Sequence, residues 1–420
     1  MTENKKTVMV LSDHPLSPSG VGTQTKYFIE AMLKTGKYRF ICLGGAVKHE
    51  NYTPTKIQPF EDDWVVYPVD GYGDPNIVRN FIINEKPDVL WFMTDPRFYG
   101  WLWEIENEIR CVCPMVYYHV WDNYPYPTFN KPWYDSNDHI VTISKVTSDI
   151  VKTVSPTIDE TYLPHAVDTN IFRKLPPDQV ADFKQQSFGP DDDKLTFFWN
   201  NRNARRKQSG TLIWWFKEYL DTVGHDKARL LMHTDAKDPH GQDLLAIMKE
   251  LGLTAGQVMI SNQKVPSTHL AMIYNMVDCT INISDAEGFG LATFESLACE
   301  TPIIVNMTGG LQEQVTNGKA WFGYGIEPAS KSVIGSQEVP FIYEDRPSKE
   351  DFLKAMMEFT NSSSKERQRM GKQGRAHVLE NYSMENFARK WDEILTEVIE
   401  KHGSWDTRKD YQSWHFQEVK

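Results

Sequence analysis

Val277-Asp278-Cys279-Thr280-Ile281-Asn282-Ile283 runs directly into Ser284-Asp285-Ala286-Glu287-Gly288-Phe289-Gly290-Leu291-Ala292-Thr293-Phe294-Glu295. The first segment reads as a short buried strand. After the glycines, Leu291, Phe294, Leu297 and Ala298 recur at helical spacing, and a second apolar run, Pro302 to Val305, follows. Strand, glycine turn, helix and strand within about thirty residues form a βαβ unit, whose first helical amides lack intrahelical partners and suit anionic ligands.

Two carboxylates stand eight residues apart across this turn. Glu287 sits at the strand's carboxyl end, where open α/β sheets bind ligands, and Glu295 lies a little over one turn into the helix, off its apolar stripe. Glutamates at this spacing are also compatible with a loop charge and a solvated helix face. The glycines flanking Phe289, where the backbone must come close to something, favour a site.

Working outward, strands and helices alternate through both halves, which implies parallel sheets covered by helices. The first half shows strand patterns at Val8 to Leu11, Phe40 to Leu43, Val65 to Val69, Val89 to Met93, Met115 to His119 and Ile140 to Ile143. The stretch Pro164 to Pro190, with Pro176-Pro177 and then Asp191-Asp192-Asp193, reads as a crossover and linker. Alternation restarts at Leu195 to Trp199 and continues through Leu230 to Met232, Val258 to Ile260, Thr280 to Ile283 and Ile303 to Val305. The expected domains are 1–175, 176–385 and a C-terminal helix and tail, 386–420, long enough to pack back on the first domain. Two such domains facing across a linker create a ligand cleft.

Composition narrows the function classes. A chain of 420 residues is long for one core, and 40% hydrophobic with 12% aromatic residues can fill two. A formal charge of −12 disfavours a bulk polyanion-binding surface. Cys42, Cys111, Cys113, Cys279 and Cys299 lack metal-ligand spacing and read as reduced thiols, so no metal site is expected. Met1 to Lys6 passes straight into the strand Thr7 to Leu11, and no apolar run reaches transmembrane length; a cytoplasmic protein is expected.

Three further loops carry chemistry. Trp199-Asn200-Asn201-Arg202-Asn203-Ala204-Arg205-Arg206-Lys207 follows the first strand of the second domain and packs four cations into six positions. An exposed basic loop has this composition too, but at a strand's carboxyl end Arg202 and Lys207 are placed to clamp phosphoryl oxygens and a leaving diphosphate. Pro18-Ser19-Gly20-Val21-Gly22-Thr23 is an incomplete phosphate loop in which Gly20 and Gly22 would bring amides close to a sugar or phosphate, or would serve only a turn. His119 ends a strand, as a catalytic or a structural group, ahead of an aromatic-rich stretch. Of the surrounding Tyr117, Tyr118, Trp121, Tyr124, Tyr126, Phe129, Trp133 and Tyr134, some must be core; the rest, interrupted by Pro125, Pro127 and Pro132, would form a loop whose faces stack on a sugar or base.

Together these residues resemble the retaining, nucleotide-sugar-dependent glycosyltransferases of the GT-B fold, and most closely glycosyltransferase family 4. The most specific part is Tyr274 to Val305, with Asp278, Ser284, Glu287-Gly288-Phe289-Gly290, Glu295-Ser296-Leu297-Ala298 and Thr301-Pro302, then Gly309-Gly310 and Glu313. Asp138 to Ser144, Pro164-His165-Ala166-Val167-Asp168 and Tyr382-Ser383 add to it. Glu300 replaces the usual glycine and His165-Ala166 the usual Asn-Gly; two residues separate His119 from Asp122 where many members have them adjacent. Extra sequence between Lys319 and Glu344 has no counterpart in the pattern.

The resemblance implies an α/β protein of two Rossmann-like parallel-sheet domains facing across a cleft, with a C-terminal helix crossing back to the first. It implies sugar transfer from a nucleoside diphosphate with retention, without a metal or other cofactor. Glu287 would hold donor-sugar hydroxyls, Glu295 the ribose hydroxyls, and the Gly288, Phe289, Gly290 and Leu291 segment sugar and phosphate through its amides. Arg202 and Lys207 would stabilise the departing charge, and His119 would contact the donor sugar. The base would meet loop residues near Asn262 to Val265. The acceptor is left open among a glycan, a lipid-linked sugar and a small molecule. The alternatives are a phage-type transferase acting on modified DNA bases, with Arg205 and Arg206 on phosphate, and a nucleotide-sugar binding protein without catalysis.

Overall fold

The computed structural model describes residues 5–123, 126–190, 192–409 and 411–414. Met1 to Asn4, Tyr124, Pro125, Asp191, Asp410 and the last six residues of the expected tail lie outside the described residues. Two compact units result, one comprising Met1–Ala166, Gly335–Ile342 and Met384–Lys420 and the other Val167–Ile334 and Tyr343–Ser383. The division therefore falls at Ala166 rather than at 175, and the first unit takes in a short segment from the sequence left unassigned between Lys319 and Glu344.

In the first unit the strands are β1 (Lys6–Asp13), β2 (Tyr38–Gly45), β3 (Thr55–Ile57), β4 (Glu61–Pro68), β5 (Val89–Met93), β6 (Met115–His119), β7 (His139–Thr142) and β8 (Glu160–Tyr162). They order as β3-β4-β2-β1-β5-β6-β7-β8, parallel except for β3 against β4. The short β3 and β8 were not legible, since neither carries an apolar run. The inner strands are buried on both faces, which explains their near-continuous Val, Leu, Phe and Met content. Helix Gly20–Leu33 starts at Ser19, whose hydroxyl accepts from the Gly22 amide at 2.9 Å.

The C-terminal helix Met384–His402 buries Phe387, Trp391, Ile394, Leu395 and Val398, one helical face. Trp391 packs on Phe28 at 4.7 Å and on Tyr118 at 5.1 Å, and Tyr38 donates to Asp392 at 2.9 Å. The expected return of this helix to the first unit is thus built from aromatic burial.

In the second unit the strands are β9 (Leu195–Asn200), β10 (Ala228–His233), β11 (Val258–Ser261), β12 (Cys279–Asn282), β13 (Ile303–Asn306) and β14 (Gly323–Ile326), with the separate pair β15 (Pro328–Ile334) and β16 (Ile342–Pro347). The main sheet orders as β11-β10-β9-β12-β13-β14 and is parallel throughout. The chain leaves β9 towards β10 and returns on the other side as β12. That reversal makes the carboxyl ends of β9 and β12 the switch point at which such sheets bind ligands.

The stretch read as a linker is partly helix, Pro177–Phe188, because Pro177 occupies the first helical turn, where a missing amide costs nothing. Its Phe183 meets His269 edge-on at 5.3 Å. The unassigned sequence after Lys319 supplies the edge strand β14 and the β15–β16 pair.

Candidate active site

Because β12 pairs with β9, with Thr280 opposite Phe198, the loops that follow them lie side by side. The Asp285 amide donates to the Arg206 carbonyl at 2.8 Å, and Arg206 Nη1 returns a bond to the Ala286 carbonyl at 2.6 Å. This zipping brings the Lys207 ammonium onto the Glu287 carboxylate, with side chains only 8% and 11% exposed. Asn282 Nδ2 donates to the same Glu287 oxygen at 3.2 Å. Burial pushes the Glu287 carboxyl up, but the charges of Lys207 and Arg206 and the hydrogen bonds from Lys207 and Asn282 outweigh it, so the group sits below its ordinary value.

Glu295 lies on helix Leu291–Ala298 and takes a different partner. The fully buried Tyr274 hydroxyl donates to Glu295 Oε2 at 2.9 Å, and Asn200 Nδ2 donates to that hydroxyl at 3.0 Å. Burial raises the Glu295 carboxyl to about 7, the Tyr274 bond opposing it. Glu287 and Glu295 therefore differ in state: one is held ionised by a cation, the other titrates near neutrality.

Arg202 is 62% exposed and its guanidinium is turned to Asp238, with Nε to Oδ2 at 2.7 Å, and to His240 Nδ1 at 2.7 Å. Arg205 forks onto Glu344 at 2.9 and 2.5 Å. Each cation of the Arg202 to Lys207 run thus has a protein acceptor, so the segment is not a loose basic loop. The two guanidiniums that a DNA-phosphate role would use, Arg205 and Arg206, are bonded within the second unit.

Gly290 begins the helix with φ 92°, a left-handed backbone that L side chains avoid, and a Cβ there would lie 2.6 Å from Leu311. Phe289 is core, edge-on to Phe294 at 5.1 Å, and its carbonyl accepts from Gln314 at 2.5 Å. It shapes the turn of Gly288 to Leu291 from beneath. The loop Asn262 to Lys264 after β11 is exposed.

The remaining expected residues lie in the first unit. His119 is fully buried, with Nε2 2.7 Å from the Tyr134 hydroxyl and Nδ1 without a hydrogen-bond partner among the described residues. Burial lowers its imidazole to about 3, so it is neutral. Gly22 has a packing reason, since a Cβ would fall 2.7 Å from the His14 carbonyl, and its amide is taken by Ser19; Gly20 opens the helix and is exposed. Of the aromatics around His119, Tyr117, Tyr118, Trp121 and Tyr134 are buried core, as expected of some of them, while Phe129 and Trp133 are half-buried. Trp133 stacks on Trp103 at 5.4 Å and Phe129 meets Trp121 at 5.9 Å, while Tyr126 is exposed.

Residues that sequence reasoning missed include Tyr274 and Asn200 behind Glu295, and Asp238 behind Arg202. Only Asn200, in the same loop region as Arg202, carried a local signal. The others arrive from other strands and helices through the sheet order.

Comparison with known proteins agrees with this architecture. Residues 181–377, most of them in the second unit, match the family model described as glycosyl transferases group 1. N-acetyl-alpha-D-glucosaminyl L-malate synthase of Bacillus anthracis is 21% identical over 246 residues, 59% of this chain and 56% of that protein. The chain thus spans little more than half the length of this curated relative. Among solved structures, sucrose-phosphate synthase of Thermosynechococcus elongatus superposes with TM-score 0.74 at 14% identity, covering 94% of this chain and 100% of that one. Trehalose-6-phosphate from E. coli bound with UDP-2-fluoro glucose gives TM-score 0.70 at 11% identity, covering 93% and 99%. The fold is GT-B, built of two Rossmann-like parallel-sheet domains.

Proposed function

We propose that this protein is a retaining, metal-independent glycosyltransferase using a nucleoside-diphosphate sugar. The observation that carries the reading is the buried Lys207–Glu287 pair at the β9/β12 switch point, with Glu295 one helical turn beyond on the same βαβ unit. A diphosphate needs positive charge that develops no reorganisation cost as the bond breaks, and Lys207 with Arg202 supplies it. Glu287 accepts from donor-sugar hydroxyls, and Glu295 accepts from the ribose hydroxyls. The glycosyl C1–O bond breaks with its electron pair going to the diphosphate. The acceptor oxygen bonds C1 from the same face, and its proton passes to the departing phosphate oxygen, so no protein base is assigned. The UDP-sugar in one neighbouring structure supports a nucleotide-sugar partner. The acceptor is a hydroxyl compound: a glycan, a lipid-linked sugar or a small molecule.

The test is release of nucleoside diphosphate from a panel of UDP-, ADP- and GDP-linked hexoses. The wild type should release one diphosphate, Glu295→Gln should weaken donor binding, and Arg202→Ala should slow the chemical step by a larger factor. Full rates in both variants would remove the assignment of the site. No release from any donor, with the nucleotide bound, would favour a binding protein.

A further inference from the structure

The β15–β16 pair sits outside the resemblance pattern, yet its second strand is bonded into the loops of the candidate site. Arg346 on β16 donates through Nη1 to Asp285 and is ion-paired through Nη2 with Glu344 at 2.9 Å. Glu344 in turn receives both guanidinium nitrogens of Arg205. The Asp345 amide donates to the Asp285 carbonyl at 2.9 Å. Asn306, at the end of β13, donates to the carbonyls of Ser284 at 2.9 Å and Asp345 at 2.8 Å. Gln208 completes the ring, donating to Asp285 at 2.6 Å.

Asp285 and Glu344 are 0% and 2% exposed at their side chains, an expensive place for two carboxylates unless each is paired. Their cations come from different places: Arg205 from the loop after β9, Arg346 from β16. The result ties three segments together, namely the 205–208 turn bearing Lys207, the 284–287 loop bearing Glu287, and β16. The ties of these four charged groups act on the backbone that presents Glu287 and Lys207.

We propose that Arg346 and Glu344 are positioning residues for the proposed transfer, the Arg346–Asp285 and Arg205–Glu344 pairs fixing the separation of Lys207 and Glu287. The inference rests on the glycosyltransferase reading. It gives the segment around β15 and β16 a role: the chain has added a strand that braces the loop pair from outside the main sheet. Glu295 stands on a helix this network does not touch, so the brace acts on leaving-group stabilisation and donor-sugar orientation more than on ribose binding.

The experiment measures kcat and donor KM for diphosphate release from the panel donor that the wild type turns over. Arg346→Ala should lower kcat by roughly 10- to 100-fold, the cost of misplacing catalytic groups by about an ångström, with donor KM changed less than about threefold. Arg346→Lys, which keeps a charge but cannot fork to both carboxylates, should fall between. Asp285→Asn added to Arg346→Ala should recover folding without recovering kcat, because the unpaired buried charge is gone but the tie is not restored. Val333→Ser, at a 61% exposed position of β15, is the control and should match the wild type. A purely structural role would lower the unfolding temperature while leaving kcat per folded molecule unchanged. Wild-type kcat in folded Arg346→Ala and Arg346→Lys, or an equal loss in Val333→Ser, overturns the inference. A wild type that turns over no donor overturns the reading beneath it as well.

Discussion

Removing the Lys207 ammonium should do more than slow a reaction. With both partners about nine-tenths buried, solvent does not screen the Lys207–Glu287 pair, and deleting one member of such a pair costs about 3–5 kcal/mol. Asn282 and Arg206 remain beside Glu287, so the lower figure applies to Lys207→Ala, about 3 kcal/mol at pH 8. For a unit of about 200 residues that is a fall in Tm of roughly 6–12 °C. The pH dependence has a definite sign. In the wild type Glu287 is held below its ordinary value of 4.5, so its contribution is present above that pH and is lost as pH falls through the lower folded value. In the variant burial is no longer outweighed and the folded value rises above 4.5. The charge then destabilises the fold at neutral and alkaline pH, and the penalty shrinks as acid protonates it. The deficit should therefore be largest at pH 8 and smaller at pH 5. Hydrogen exchange at the amides of β9 and β12 reads the second unit by itself. Lys207→Met combined with Glu287→Gln should recover most of the loss. A deficit below about 1 kcal/mol at pH 8, or one equal at both pH values, refutes the reasoning.

Three other outcomes are expected. Donor affinity should fall roughly tenfold between pH 8 and pH 6 as the Glu295 carboxyl, raised to about 7, takes up a proton, and Glu295→Gln should be weak and flat over that range in a calorimetric titration. Gly290→Ala forces a left-handed φ and a clash with Leu311, and should cost about 1–3 kcal/mol in urea unfolding of the second unit while raising donor KM. His119→Ala should lower the transfer rate without removing a titrating limb between pH 5 and 8, because the wild-type imidazole is already neutral there; a lost limb near pH 6.5 would contradict this.

How much of this was legible depended on how local each signal was. The βαβ unit from Val277 to Val305 was readable because strand, turn and helix each declare themselves within a few residues, and Glu287 and Lys207 followed from their places at strand ends. Their direct pairing was not readable. It depends on β12 lying beside β9, and strand order is decided by packing rather than by either strand's own residues. Tyr274 behind Glu295 and Asp238 behind Arg202 were hidden for the same reason. Helix Pro177–Phe188 reads as a linker in the sequence because Pro176-Pro177 looks like a breaker, whereas Pro176 is the cap and Pro177 occupies the first helical turn. The aromatics around His119 announce that some are core but not which: Tyr117, Tyr118, Trp121 and Tyr134 are buried and Phe129 and Trp133 only half so, a division set by contacts from other segments. Arg346 stands 61 residues from Asp285, and nothing in either neighbourhood marks the partnership.

The central claim, that the βαβ unit around Glu287 and Glu295 grips a nucleoside diphosphate, is tested most directly by isothermal titration of UDP, ADP and GDP. The account predicts saturable binding of one of them to the wild type, weakened at least tenfold by Arg202→Ala and, at pH 8, by Glu295→Gln, a loss of about 1.4 kcal/mol or more each. Absence of binding by all three, or binding that both variants leave unchanged, would contradict it.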